Sequence, residues 1–223
     1  LVNIADLKLS VIEKSHIINE MRVIVGKDYR QTPLFSEKIR SIVLNPYWYI
    51  PETVILEDLL PEIKKDLNYL KKNHIELFST WKGEFYTIAP EVIEWDTLDS
   101  YNLNFQFRQM PGPHNSLGRF KFIFPNDHAV YLHSTPNLSI FKMQSRTYSS
   151  GCIRIEDPVW LANYLTKNLV NWSRKKILNV IDKGTPTKIE LKSQVPIHIK
   201  YFTVWIDRKG LVHFRKDIYN RES

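Results

Sequence analysis

A chain of 223 residues suits one domain of generous size, or one domain carrying an inserted lobe. Apolar residues make up 43%, which excludes disorder as the default, and 6 Trp, 11 Tyr and 11 Phe against 7 Gly favour pleated sheet. The net charge of +7 would attract nucleic acid, a membrane surface or an acidic polymer. However, the basic residues lie in short groups such as Lys64-Lys65 and Arg174-Lys175-Lys176, and no RNP-like or zinc-finger motif accompanies them, which argues against nucleic acid.

In chain order, "NIADLKLSVI" alternates and "NEMRVIVG" follows it, a pair that reads as a hairpin with Gly26 closing the turn. The stretch opens without a Met and reads as a piece cut from a longer protein, with no signal peptide visible. "KIRSIVLNPYWYI" is a third strand, ended by Pro51. Texture then changes: Ile63, Leu67 and Leu70 fall at helical spacing over Pro61–Asn73, with Pro61 in the first turn. Residues 52–109 mix this helix with short strands ("IELF", "FYTI", "NLNFQFR") and read as an insertion between core strands, a lid. β texture returns at "RFKFIFP" and "AVYLHS", separated by a turn at "PND". Asp157-Pro158 predicts an N-cap with Pro at N1, then a helix over "PVWLANYLTKNL". A second helix follows over "NWSRKKILNVIDKG", stopped by Gly184. The tail reads strand, strand, turn at Arg208-Lys209-Gly210, strand. No apolar stretch approaches the roughly 20 residues that a bilayer requires.

The chain has one cysteine, Cys152, in "TYSSGCIRIEDP". It forms no internal disulfide and supplies no Cys-based zinc cluster. A thiol attacks as its thiolate, which a neighbouring imidazole makes available by taking the proton. Of seven histidines, His133 stands out: it ends the strand-like "AVYLH" and opens the loop Ser134-Thr135-Pro136, where reactive groups are commonly displayed. Small residues Ser149-Ser150-Gly151 precede the thiol and allow a tight turn that aims amide N–H groups at one point. On residue type alone a lone cysteine is most often a buried inert hydrophobe, and Tyr131, on the face of His133, a packing aromatic.

"YLHSTP … SSGCIRIEDP" closely resembles the signature of L,D-transpeptidases of the YkuD type, in which a His opens the motif and Ser/Thr-x-Gly-Cys-x-Arg/Asn closes it. Here the two residues stand nineteen apart. "VIVGKDYRQTPLFSEKIRSIVLNPYWYIPE" and "RQMPGPHNSLGRFKFIFPNDHAVYLHSTP" resemble the large YcbB-like branch, which carries a capping insertion. The resemblance implies a mainly β, sandwich-like catalytic domain with flanking helices and a capping subdomain at 52–109. It implies Cys152 as nucleophile and His133 as general base. Ser134 would orient the imidazole through its backbone carbonyl, leaving its side chain dispensable. Ser150 and Gly151 would donate oxyanion-hole amides. Arg154 would brace the site or meet a substrate carboxylate, Tyr131 would line the substrate pocket, and Asn115 would stand beside the substrate, with Asn115 and Gly118 contributing shape. Many smaller members have His where this chain has Ser150, which puts a secondary role in doubt and not the core mechanism. The implied reaction is 3–3 cross-linking of peptidoglycan stem peptides through a thioester in a bacterial periplasm, with carbapenems as inhibitors, no cofactor and no metal. The resemblance leaves open the acceptor (amine, water or a protein lysine), a membrane tether outside this stretch, and a wall-binding module without catalysis.

Overall fold

The computed structural model describes residues 1–221. Strands dominate, and most of them join one sheet of nine that closes on itself. Its members are β1 (Val2–Asn3), β2 (Lys8–Glu13), β3 (His16–Gly26), β4 (Phe35–Leu44) and, after a second unit, β9 (Phe120–Ile123), β10 (Leu132–His133), β11 (Thr147–Ser149), β12 (Ile153–Ile155) and β13 (Thr187–Lys200). Hydrogen-bonded neighbours run β11-β3-β12-β10-β9-β4-β13-β1-β2, and β2 pairs back onto β3. The opening hairpin is therefore β2–β3, but its turn is at Lys14-Ser15 and not at Gly26. Both turn residues adopt positive φ (47° and 64°), the backbone of a tight hairpin turn, while Gly26 ends β3.

Alternation sorts the side chains. Phe120 and Phe122 of β9, Leu132 of β10, and Ile153 and Ile155 of β12 point into a core shared with Val2, Ile42, Leu44 and Ile199. Their alternate neighbours Lys121, His133 and Arg154 therefore lie on the opposite face. Two helices close the core: α4 (Pro158–Leu165) through Leu161 and Ala162, α5 (Arg174–Lys183) through Ile177. Asp157 caps α4 by accepting the Trp160 N–H at 2.9 Å, with Pro158 next in the chain. Ser173 caps α5 in the same way and Gly184 ends it. The tail strands β14 (Val204–Ile206) and β15 (Val212–Phe214) form a separate ribbon.

Between β4 and β9 the chain builds a second sheet, in the order β5 (Trp48–Tyr49), β8 (Gln106–Gln109), β6 (Ile75–Trp81), β7 (Glu84–Ile88). Leu77, Phe105 and Phe107 pack there with Ile55, Leu59 and Ile63, an apolar cluster distinct from the main core. The sheet starts at Trp48 because Asn45-Pro46 breaks the stretch that the sequence reads as one strand. The helix expected from Pro61 to Asn73 is two pieces. A helical run starts after Pro51 as α1 (Glu52–Val54), passes through a π turn at Ile55–Leu59 and continues as α2 (Leu60–Lys65), which includes Pro61, whose missing N–H such a turn accommodates. That run ends at Lys65 because Asp66 turns extended and accepts the Asn68 N–H; a short helix, α3 (Asn68–Lys72), follows. Among the described residues no helix is long and apolar enough to cross a membrane.

Candidate active site

Cys152 immediately precedes β12, and the loop that delivers it is bonded from three sides. Ser149 Oγ accepts the Gly151 N–H at 3.2 Å and donates to the Cys152 carbonyl. Thr32, fully buried, donates from Oγ1 to the Gly151 carbonyl and accepts the Gly26 N–H, both at 2.9 Å. Arg30 Nη1 donates to Ser150 Oγ at 2.9 Å while the same guanidinium pairs with Glu57 and Asp58 of the second unit. Gly151 has φ of 104°, a conformation that a side chain would strain.

These bonds correct one expectation. The Gly151 amide is spent on Ser149 Oγ and is not free for an oxyanion; among the described residues no protein group occupies the amides of Ser150 and Cys152. Asn115 is corrected too. It is fully buried, its Nδ2 donates to the carbonyls of Pro46, Gln109 and Met110, and its Oδ1 accepts the Leu117 N–H. Nothing of that amide is left for a substrate; Asn115 shapes the turn that carries Gly118. A Cβ at Gly118 would come within 2.2 Å of Ser134 Oγ, so glycine is required by close approach.

The imidazole of His133 is held by the Ser134 carbonyl, 2.6 Å from Nδ1. A carbonyl only accepts, so Nδ1 carries the proton and Nε2 the lone pair. Burial and the Arg154 cation push His133 down to about 3, and the ring is neutral at physiological pH. The Ser134 side chain has a structural part of its own. It is buried, accepts the Arg119 and Phe120 N–H groups at 2.7 and 3.0 Å, and donates to the Leu117 carbonyl at 3.0 Å.

Cys152 is half-buried, and the protein packed around its sulfur pushes the thiol above its ordinary range. Against that, Tyr131 offers the sulfur both its backbone N–H and its phenol, and the Lys121 and Arg154 cations favour the thiolate. Burial and the neighbouring sulfur raise the Tyr131 phenol well above its ordinary value, so it stays a donor. The strand registers explain the gathering: His133 of β10 stands opposite Lys121 of β9 on one side and Arg154 of β12 on the other. Cys152, His133, Tyr131, Arg154 and Lys121 all line a cleft of about 550 Å³, to whose lining Trp48, Val54 and Leu59 of the second unit also contribute. Among the described residues no group of His, Cys, Asp and Glu is arranged to hold a metal.

Three contributors escaped the sequence reading. Lys121 is a charged residue within "FKFIF", and its alternation with the apolar Phe120 and Phe122 was visible, but its partner strand was not. Thr32 and Arg30 act across gaps of 119 and 120 residues, which no local pattern reveals.

A family model for the YkuD L,D-transpeptidase catalytic domain matches residues 1–191. The chain belongs to the YkuD family of L,D-transpeptidases. It is 35% identical over 218 residues to a Haemophilus influenzae protein whose name assigns it provisionally to the L,D-transpeptidases. That match covers 98% of this chain and 43% of the relative, so the chain spans less than half the length of the protein it resembles. The crystal structure of Mycobacterium tuberculosis L,D-transpeptidase 1 aligns with a TM-score of 0.34 and 13% identity, over 89% of this chain and 58% of that one. A likeness that distant adds no argument; the mainly β fold of this L,D-transpeptidase domain is read from its own closed sheet.

Proposed function

We propose that this domain cross-links peptidoglycan stem peptides 3–3 through a thioester on Cys152. The observation that carries the reading is the partly exposed thiol in one cleft with a neutral imidazole whose Nδ1 is fixed on the Ser134 carbonyl. His133 Nε2 takes the thiol proton as sulfur attacks the carbonyl that joins diaminopimelate to the terminal D-alanine of a tetrapeptide. The amides of Cys152 and Ser150 hold the oxyanion. Collapse breaks the C–N bond, and the departing amine receives the proton from His133. A side-chain amine of a second stem then attacks the thioester, gives its proton to His133, and the sulfur leaves to regain it. The second unit, with its own sheet, acts as a lid that keeps water from the thioester. The setting is the bacterial periplasm, and carbapenems acylate the same sulfur.

Incubation with a purified tetrapeptide, followed by intact-mass measurement, tests the reading. The wild type gains the tripeptide acyl group as the peptide releases D-alanine; Cys152→Ala gains nothing, and His133→Ala acylates slower by orders of magnitude. A wild-type protein that acquires no adduct from either tetrapeptide or meropenem would sink it. Hydrolysis alone, with abundant acceptor amine present, would leave the acyl-enzyme standing but make the domain an L,D-carboxypeptidase.

A further inference from the structure

Two cations of the cleft face no anion. Lys121 and Arg154 flank His133 in one row across three strands, and burial pulls both below their ordinary range. Neither joins an ion pair among the described residues. Arg154 Nε is buried with no hydrogen-bond partner, and the Lys121 ammonium rests over the Tyr131 ring, 3.9 Å from its centroid. The carboxylates nearby are engaged elsewhere: Asp58, which also lines the cleft, pairs with Arg30 at 2.8 Å, and Glu156, two residues past Arg154, pairs with Arg22. A desolvated cation without a partner weakens a fold. Two of them beside a reactive thiol are accounted for by a ligand that brings the negative charge. Their field also reaches the sulfur, but a thiol kept protonated by its surroundings offers them no standing charge to pair with.

We infer that Lys121 and Arg154 together form a carboxylate subsite beside the scissile bond, which selects donor peptides bearing a free carboxylate there. The inference rests on the acyl-transfer reading above and adds the donor's specificity to it. The donor carries two such groups on the residues that flank the scissile bond, the terminal carboxylate of the leaving D-alanine and, at the far end of its side chain, the second carboxylate of diaminopimelate. Both present the planar oxygen pair that a guanidinium fork and an ammonium grip well.

Three synthetic tetrapeptides separate the sources: the natural one, one amidated at the terminal carboxylate, and one amidated at the diaminopimelate side chain. With wild-type protein, one of the two amidations lowers kcat/KM for acylation by about 10- to 100-fold, the size expected for a lost charged hydrogen bond. Lys121→Met loses a similar factor on the natural peptide and no longer distinguishes it from that amide, while Lys121→Arg retains the preference. Equal acylation of all three peptides by the wild type overturns the subsite and leaves acyl transfer intact. An arm independent of turnover uses Cys152→Ala protein: N-acetyl-D-alanine raises its Tm, the corresponding amide does not, and adding Lys121→Met removes the difference if the terminal carboxylate is the one read. Where amidation of the side-chain carboxylate is the damaging change, the same arm is run with N-acetylated diaminopimelate and its amide. If no carboxylate shifts Tm and acylation ignores both amidations, the subsite does not exist.

Discussion

At the scale of single residues, Ser134 shows how a side chain and its own backbone divide the labour. The carbonyl fixes the His133 tautomer; the hydroxyl seats two amides and a carbonyl of the Leu117–Phe120 segment. Ser134→Ala should therefore lower stability by about 1–3 kcal/mol, the cost of leaving buried donors unmatched, while turnover per folded molecule stays within a few-fold. Urea melts beside active-site titration check both halves. His133 adds a pH dependence of fixed sign. Its folded value of about 3 lies below the 6.5 of a free imidazole, so the unfolded chain binds the extra proton between those values. Stability contributed by the buried neutral ring is full above pH 6.5 and lost as pH falls toward 3. His133→Gln should flatten that part of the stability curve, measured by urea melts from pH 7 to 4; an unchanged slope would place the titration elsewhere. The motif residues Cys152 and His133 were legible because their types and spacing are carried within a short stretch. The parts played by Ser134 Oγ, the Gly151 amide and Asn115 were not, since each is decided by which neighbours a loop meets on folding.

Among the elements, the nucleophile loop is steadied by chain remote in sequence. Thr32 ties Gly26 at the end of β3 to Gly151, and Tyr219 from the tail accepts the Thr32 N–H at 3.3 Å and donates to the Gly26 carbonyl at 2.6 Å. Thr32→Val keeps the shape and removes both hydroxyl bonds. It should cost about 1–3 kcal/mol, and the loosened loop should slow acylation by meropenem about tenfold through misplacement of the sulfur. Stopped-flow acylation checks this; an unchanged rate at reduced stability would confine Thr32 to folding. The same contrast governs what could be read beforehand. The cap at Asp157 and the stop at Gly184 follow from residue chemistry alone. The π turn around Ile55–Leu59 does not, because nothing in the local pattern reveals that the helix already begins at Glu52.

On the scale of the whole molecule, two apolar cores coexist. The main one is closed by its own ring of strands; the other holds Phe107 and Leu77, each about 1% exposed, inside the second unit. Phe107→Ala should cost that unit about 3–5 kcal/mol. Hydrogen exchange should then quicken across residues 48–109 while β3, β9 and β12 stay protected; loss of protection in both at once would mean that the cores melt as one. The mainly β class was legible from aromatic content and alternation, whereas closure of the sheet was not, since pairing of β2 back onto β3 depends on twist accumulated over the intervening strands. The pairing of Trp48 with Gln109 has one more consequence. Where the chain departs from the barrel and where it comes back, it travels as adjacent antiparallel partners. Splicing the two ends with a two-residue turn would shorten the molecule without asking any strand of the closed sheet to move, which makes this junction the seam at which the second unit can be cut out or replaced.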